Sequence, residues 1–186
     1  MNLENEFKKN NSLMITLNSE EYKMAMSELN IELGKSPKKI CYVSFSRPAS
    51  DIKEEFDNLK LSSEKYFILD TTSKMMGLKC NLPNASYISS PRALTELGLS
   101  LSKVMKSAEI KIIFFDSIGS LLTYNDEVTA IRFLHSITVK TKDSGKKLIC
   151  IMVDGDLQKT LFRESILFFD EVKKYTELEL GSKNIK

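Results

Sequence analysis

The chain has 186 residues, and its 42% hydrophobic and 28% charged content is typical of a folded globular domain rather than a disordered chain. Its net charge of +2 gives no indication of nucleic acid or an acidic membrane as a partner. No apolar run approaches the roughly 18 residues that a membrane span requires. The polar stretch 1–11 lacks the features of a signal peptide. We therefore expect one cytoplasmic domain over residues 12–180, with a polar leader at 1–11 and a tail at 181–186.

Strand-like and helix-like patterns alternate along the chain. Helices are predicted where apolar residues recur every three or four positions, as from Tyr22 to Leu33. Asn18 or Ser19 is expected to cap that helix, Gly34 to stop it, and Ser50 to cap the next one. Short apolar runs predict strands at 12–17, 39–45, 65–70, 111–116, 147–154 and near 169–175. The alternation implies right-handed crossovers and a parallel sheet covered by helices on both faces.

The stretch from 71 to 90 breaks this pattern, because it is rich in Thr, Ser, Gly, Asn and Pro. We predict a loop with a brief extended piece at Ser86–Ile88. Loops of this length in a compact domain are often functional or mobile. The soft apolar pair Met75 and Met76 could dock a partner or a neighbouring subunit, or could belong to the core.

The run Lys111 to Ser117 places an acid, Asp116, at the end of a strand with four consecutive large apolar residues. Because ligands bind at the carboxyl ends of parallel strands, Asp116 could be an acid that holds the Mg²⁺ of a nucleotide. The alternative is a core strand that ends in a capping or turn aspartate. Three cysteines without CxxC spacing and a single histidine argue against a zinc site.

The order of these segments resembles the RecA superfamily, in particular the small single-domain relatives of KaiC found in archaea. Residues 41–45, CYVSF, resemble the family's YVS(F/Y)E strand, and residues 112–117 resemble its Walker B strand. Residues 117–122 resemble the family's continuation after that strand, and Gly155–Leu157 and Phe169–Val172 its closing helix and strand. The resemblance implies a three-layer α/β fold of the P-loop NTPase type. It also implies the strand order 3-2-4-5-1-6, with the Asp116 strand central.

The chain departs from this family at the phosphate-binding loop. Between the first strand and its helix the family has GxxxxGKS/T, whereas this chain has Asn18-Ser19-Glu20-Glu21-Tyr22-Lys23. A phosphate cradle needs glycines so that backbone N–H groups can converge, and the two glutamates would repel a polyphosphate. Lys23 could be a displaced remnant of the P-loop lysine. We predict an ordinary helix start here. The sequence Gly34-Lys35-Ser36 follows a helix instead of a strand and is read as a chance match.

The second departure lies at the end of the second strand. The resemblance implies one or two glutamates there to orient the attacking water, and this chain has Ser46-Arg47. A guanidinium cannot accept a proton, so Asp116 is the only one of the three catalytic elements that remains. We hypothesise a direct or water-bridged contact between Arg47 and Asp116 that replaces the metal site.

Other candidate residues have simpler interpretations. His135 is expected to be exposed or at a rim, and Ser117 lacks the GxSxG setting of a nucleophile. Asp70 and Asp154 also end strands and could cluster with Asp116, but we favour turn formation for both. The lysine pairs at 38–39 and 146–147 are expected to be solvated charge at the opposite edge of the sheet.

Two functional hypotheses follow. The first is a catalytically inactive RecA/KaiC-like domain that acts as a regulatory or protein-interaction module, with no cofactor or metal and with a protein partner or homo-oligomer. Its vestigial nucleotide-site positions would be Asn18, Ser19, Lys23, Arg47, Asp116 and Ser117. The alternative is a KaiC-like protein that binds MgATP at an atypical site, either within one chain or at a shared subunit interface. A carboxylate-based hydrolase unrelated to ATP is a more remote third hypothesis.

Overall fold

A computed structural model describes residues 3–153 and 160–178 of the chain. Within those residues, seven strands form one sheet in which every neighbouring pair is parallel. The strands are β1 (Ser12–Leu17), β2 (Lys39–Ser44), β3 (Tyr66–Asp70), β4 (Ala85–Tyr87), β5 (Ile110–Asp116), β6 (Lys147–Val153) and β7 (Glu171–Lys174).

Helices connect most of these strands and cover both faces of the sheet. They are α1 (Leu3–Lys9), α2 (Tyr22–Lys35), α3 (Ala49–Asn58), α4 (Leu94–Lys106), α5 (Leu121–Tyr124), α6 (Glu127–Asp143) and α7 (Thr160–Ser165). No helix in the described part of the chain is long and apolar enough to cross a membrane.

The strand order across the sheet is β4-β3-β2-β5-β6-β1-β7, so β5 is the central strand. The predicted order of six strands is therefore confirmed, with β2 beside β5. A seventh strand extends the sheet at one edge, because the brief extended piece predicted within the loop pairs with β3 as β4. The last predicted strand is present as β7.

Alternate residues of each strand supply two cores, as expected for a sheet buried on both sides. On one face, residues such as Tyr42 and Phe114 pack with α1, α2 and α3. On the other face, residues such as Val43 and Phe115 pack with α4, α5 and α6. Cys41 and Cys150 lie in the second core with free thiols, as their apolar surroundings predict.

The segment 1–11, expected as a leader outside the domain, contains α1 and contributes to the core. Leu3 and Phe7 are one turn apart and both are buried. The side chain of Lys147 donates to the carbonyls of Phe7 and Asn10, at 2.6 and 3.1 Å, and so satisfies the C-terminus of the helix. The prediction of a solvated lysine pair at 146–147 is wrong for this reason, and because Lys146 is buried and donates to the carbonyl of Ser107.

Two predicted helix boundaries are also wrong. Gly34 lies inside α2, which ends at Lys35, and a Cβ at Gly34 would lie 2.7 Å from a methyl carbon of Leu61. Glycine therefore allows a close approach there instead of stopping the helix. Ser50 lies inside α3, whose capping position is Pro48. Asp154 and the motif 155–157 lie outside the described residues.

Candidate functional site

The carboxyl ends of β2, β3 and β5 lie side by side, and the first turn of α2 approaches the same edge of the sheet. Ser44, at the end of β2, is in register with Asp70 of β3 on one side and with Asp116 of β5 on the other. Ligands bind at this edge in open parallel sheets. We therefore take this row and the residues around it as the candidate site.

Asp116 is completely buried, and both of its carboxylate oxygens accept hydrogen bonds from tyrosines. The hydroxyl of Tyr42, in the middle of β2, donates to Oδ2 at 2.5 Å. The hydroxyl of Tyr22, the first residue of α2, donates to Oδ1. A buried carboxylate requires such donors. In this site the protein's own side chains supply them, from two elements that are distant in sequence.

Burial is also the main electrostatic influence on this group. It raises the pKa of Asp116, while the hydroxyls of Tyr22 and Tyr42 and the positive charge of Arg47 partly oppose the rise. Burial, followed by the charge of Asp116, raises the pKa of both tyrosines as well. The two phenols therefore stay protonated, which keeps them available as hydrogen-bond donors to the acid.

A short turn lies where the resemblance implies a phosphate-binding loop. The chain leaves β1 at Leu17, makes one 3₁₀ turn at Ser19–Glu21 with Asn18 as its capping residue, and enters α2. The carboxylate of Glu21 accepts from the backbone N–H of Asn18 at 3.3 Å. Positive φ angles, which a phosphate cradle uses to turn N–H groups inward, occur among the described residues at Lys60, Gly77 and Gly145 only.

Arg47 does not contact Asp116 directly. Among the described residues no hydrogen bond or ion pair joins them, and the guanidinium is paired with Glu55 of α3 at 2.5 Å. The hypothesis of a direct Arg47–Asp116 contact is therefore wrong, because α3 offers a closer acid that the sequence did not place at this edge. The other oxygen of Glu55 accepts from the amide of Asn30 at 2.9 Å, so this pair also links α3 to α2.

A cleft of about 290 Å³ opens between these helices beside the tyrosine–aspartate cluster. Lys23 is exposed and Arg47 is partly exposed, so two cationic side chains border the cleft. It is lined by Tyr22, Lys23, Met26, Arg47 and Glu55.

Asp70 has the role that the simpler interpretation predicts. It is fully buried, and its oxygens accept from the backbone N–H groups of Ala49, Thr72 and Ser73 at 2.7, 2.7 and 2.9 Å. The hydroxyl of Ser73 donates to it as well, at 2.5 Å. Asp70 therefore shapes the turn after β3 and holds the start of α3. It does not share a ligand position with Asp116.

The remaining candidates lie apart from any cluster. Ser117 follows Asp116 through a cis peptide bond and precedes the 3₁₀ turn Ile118–Ser120 without capping it through its side chain. His135 is exposed on α6 with its ring 4.6 Å from the ring of Phe168, so the prediction of an exposed residue is confirmed. Among the described residues no group of three or more His, Cys, Asp or Glu could hold a metal ion.

Tyr22 and Tyr42 were not predicted as site residues. A signal for Tyr42 exists, because Tyr42 and Ser44 lie two positions apart on one strand and so share a face. Because Ser44 of β2 pairs in register with Asp116 of β5, a ring on the Ser44 face two positions earlier lies close to Asp116. Tyr22 has no comparable signal, since its position depends on how closely α2 packs against the end of β5.

The MgATP that the resemblance implies does not fit these residues. Each oxygen of Asp116 accepts from a phenolic hydroxyl and the side chain is completely buried, so the acid is not open to a metal ion in the cleft. At the phosphate position Glu21 places a carboxylate against the backbone N–H that a phosphate would need. The donor set is thus that of a closed polar cluster inside the protein.

Solved structures include one with the same architecture. A KaiC-like protein from the hyperthermophilic archaeon Pyrococcus horikoshii OT3 superimposes with a TM-score of 0.62 at 16% sequence identity, over 87% of this chain and 69% of that one. No protein-family model matches the sequence, and neither does any curated protein. At this identity the likeness concerns the fold, and the chain accordingly has the seven-stranded parallel α/β fold of the KaiC-like, RecA type.

Proposed function

We propose that this chain is a RecA/KaiC-like domain without ATPase activity that acts through protein contacts, as a regulatory or interaction module. The observation that carries the proposal is the closed cluster around Asp116. The acid that would hold the metal of an active relative is instead a buried acceptor for Tyr22 and Tyr42. Catalysis of phosphoryl transfer depends on a positioned metal and phosphate, and the engaged, buried Asp116 is poorly placed to hold such a metal.

The surroundings of the cleft support the same proposal. Hydrolysis needs a group that orients and deprotonates water, and the glutamate bordering the cleft is Glu55. One of its oxygens accepts from Asn30 and the other from Arg47. Because each oxygen already accepts from a side chain of the protein, Glu55 has the contacts of a structural acceptor that joins Arg47 to α2.

A thermal-shift titration with MgATP tests the proposal. A ligand present at 100 times its Kd stabilises a fold by about 2.7 kcal/mol. We expect no shift with MgATP, MgADP or Mg²⁺ alone at millimolar concentrations. A saturable shift that is abolished by Lys23→Ala, together with ATP hydrolysis above a protein-free blank, would overturn the proposal.

The alternative function, nucleotide binding at an atypical or shared site, is favoured by one observation. The cleft beside the cluster is bordered by two cations, Lys23 and Arg47, which could bind phosphate groups. Under this alternative MgATP binds in the presence of a partner subunit, and binding depends on Lys23. Under the first proposal MgATP has no effect in either case.

The partner is proposed to be a protein, either a different chain or a second copy of this one. The net charge of this chain is only +2, so it does not attract nucleic acid strongly. We propose a cytoplasmic location, because Cys41, Cys80 and Cys150 are free thiols, as is usual in a reducing compartment.

A further inference from the structure

Five lysines lie at the amino edge of the sheet, at or beside the starts of β2, β5 and β6. Strand β5 pairs with β2 on one side and with β6 on the other, so the three starts are neighbours. Lys38 and Lys111 are exposed, as is Lys106 at the end of α4, whereas Lys146 is buried and Lys147 is partly buried. We name these five residues the lysine edge.

Neutral oxygens, rather than acids, hold the buried part of the lysine edge. Lys146 donates to the carbonyl of Ser107 at 2.5 Å, and Lys147 donates to two carbonyls at the end of α1 and to the side-chain oxygen of Asn11. Within residues 3–153 and 160–178, no ion pair involves any of the five lysines. Three acids of the same edge are paired with other lysines, namely Glu32 with Lys35 at 2.8 Å, Glu109 with Lys39 at 2.7 Å and Asp170 with Lys142 at 2.6 Å.

The lysines are close enough to repel one another. Burial lowers the pKa of Lys146, and the charge of Lys111 lowers it further. Burial and the charge of Lys38 lower the pKa of Lys147, an effect that Asp170 partly opposes. Lys38 and Lys111 lie outside the helices, so complementing the dipole of a helix C-terminus does not account for them. An anionic partner would relieve this repulsion, and clustered charge of one sign attracts such a partner.

An apolar cleft of about 140 Å³ opens beside Lys38, between α1 and the end of α2. Pockets for drug-sized ligands measure about 300–1,000 Å³, so this cleft has room for little more than one side chain. The amino group of Lys147 lies 5.9 Å from the centre of the Phe7 ring, which places a second lysine next to the cleft. The floor consists of residues that are each at most 7% exposed, namely Leu3, Phe7, Leu33 and Ile112.

The cleft indicates which anionic partner fits this edge. Single-stranded nucleic acids bind where bases can stack on aromatic rings, and the ring that lines this cleft, Phe7, is only 7% exposed. Lipid surfaces are bound by apolar side chains that protrude. Met75 and Met76 protrude, at 45% and 57% exposure, but they follow β3 at the opposite edge of the sheet. A recessed apolar cleft instead suits a single anchoring side chain of a protein partner.

We propose that the lysine edge docks an acidic segment of another protein, in which an apolar residue between Asp or Glu residues fills the cleft. The flanking carboxylates bind the lysines, beginning with Lys38 at the rim of the cleft. This inference rests on the proposed function for the idea of a protein partner, and it adds the chemistry of that partner. The charges provide attraction and orientation, and the anchor provides selectivity.

Fluorescence anisotropy with short labelled peptides tests the proposal. The probe has a leucine between two pairs of glutamates, and in the comparison peptide glycine replaces the leucine. We expect saturable binding of the probe that is at least about tenfold tighter than that of the glycine peptide. Raising the salt from about 0.05 to about 0.5 M should weaken both peptides, because it screens the charges, and should leave their ratio unchanged. No saturable binding up to about 1 mM, or equal affinities of the two peptides, would overturn the proposal.

Charge reversals locate the site. Lys38→Glu and Lys111→Glu should each weaken probe binding several-fold, and the double variant should abolish it. The matched control is Lys79→Glu, which makes the same change at an exposed position on the turn after β3, at the opposite edge. It should bind the probe like the wild type. Equal weakening by Lys79→Glu would show that net charge, and not the lysine edge, attracts the peptide. All three positions are exposed, so melting temperatures should stay unchanged.

Two further measurements separate the outcomes. Leu3→Ala widens the cleft, so it should reduce the preference for the leucine peptide and leave the salt dependence as it is. Tighter binding of a single-stranded oligonucleotide, or of vesicles that contain phosphatidylserine, than of the probe would overturn the proposal in favour of those partners. A MgATP titration of the Lys38→Glu and Lys111→Glu double variant tests the proposed function separately, because neither residue belongs to the tyrosine–aspartate cluster.

Discussion

Two buried acids flank the end of β2, and they are held in opposite ways. Asp70 accepts mainly from backbone N–H groups, two of which belong to the turn that follows it in sequence. Asp116 accepts from the side chains of Tyr22 and Tyr42, which lie 94 and 74 positions away. Both acids end an apolar strand in register with Ser44. The same sequence pattern thus leads to a local structural role at one position and to a long-range polar cluster at the other.

The difference shows which acid can change its role during evolution. Three of the four donors to Asp70 are backbone N–H groups, so replacing the side chain of one partner cannot release it. The partners of Asp116 are the hydroxyl groups of two tyrosines, and a single Tyr→Phe substitution removes either one. An acid at this strand end can therefore lose or gain its role as a structural acceptor by substitutions that leave the strand and its packing unchanged.

Asp70→Ala should destabilise the fold by about 3–5 kcal/mol, because it leaves three buried N–H groups and a hydroxyl without their acceptor. Chemical denaturation measures the loss in the free energy of unfolding. Asp70→Asn keeps one acceptor oxygen and should lose less than Asp70→Ala. Equal losses in the two variants would show that side-chain packing, rather than hydrogen bonding, is the function of Asp70.

Tyr42→Phe should cost about 1–3 kcal/mol, because it keeps the ring and removes the donor from a fully buried carboxylate oxygen. Tyr22→Phe should cost less, since Tyr22 is partly exposed and water can replace its hydroxyl. The double variant tests whether the two losses are coupled through Asp116. If the free energy of unfolding of Tyr42→Phe lies within about 0.5 kcal/mol of the wild-type value, the cluster contributes little to stability.

Arg47→Met should cost about 1–2 kcal/mol, because Arg47 and Glu55 form an ion pair in which each side chain is at most 23% exposed. The matched control is the pair Lys53–Asp57. It lies on α3, which also carries Glu55, and its side chains are 40% and 55% exposed. Lys53→Met should cost only about 0.3–0.5 kcal/mol. Double-mutant cycles on both pairs separate pairing from packing, and equal coupling energies would contradict the prediction.

The stability of the fold should depend on pH through Asp116. Because burial raises the pKa of Asp116 in the fold, the folded state binds its proton at pH values at which the unfolded chain has released it. Stability should therefore decrease as the pH rises from about 4, the ordinary aspartate pKa, through the raised value. Asp116→Asn removes this titration, so the stability of the wild type relative to this variant should fall with rising pH.

A control of opposite sign is available for the pH experiment. A hydrogen bond from Lys39 lowers the pKa of Glu109, so this acid contributes stability that is lost as the pH falls. Glu109→Gln should therefore change the pH dependence in the direction opposite to Asp116→Asn. Equal slopes for the two variants would contradict the assignment for Asp116.

The fold could be predicted where the signal is local. Apolar runs mark each long strand, whereas the arrangement from β3 to β7 was predicted by the resemblance to the RecA superfamily and not by the runs themselves. The strand β4 has 3 residues and no apolar run, and its position depends on pairing with β3. The helix α1 has only Leu3 and Phe7 as an apolar stripe, and its C-terminus depends on Lys147 from a distant strand. Elements of this kind are determined by tertiary partners that a sequence window does not contain.

The candidate site shows the same limit. The position of Asp116 at a strand end, the ordinary helix start after β1 and the turn-forming role of Asp70 follow from nearby residues. The partner of Arg47 does not, because Glu55 reaches it only after α3 packs against α2. The start of α3 was also mispredicted, because the backbone N–H of Ala49 is satisfied by Asp70 of another strand and not by a residue beside it.

The two outer strands of the sheet have a consequence for handling the protein at high concentration. Exposed strand edges are templates for aggregation, and natural proteins limit them with short strands and charged side chains. Here β4 has 3 residues and β7 has 4, two of which are lysines, and one of these, Lys173, is paired with Glu6 of α1. Edge-to-edge growth of the sheet is thereby disfavoured at both sides. Concentrated samples should stay free of amyloid-like precipitate, and their refolding after denaturation should be efficient.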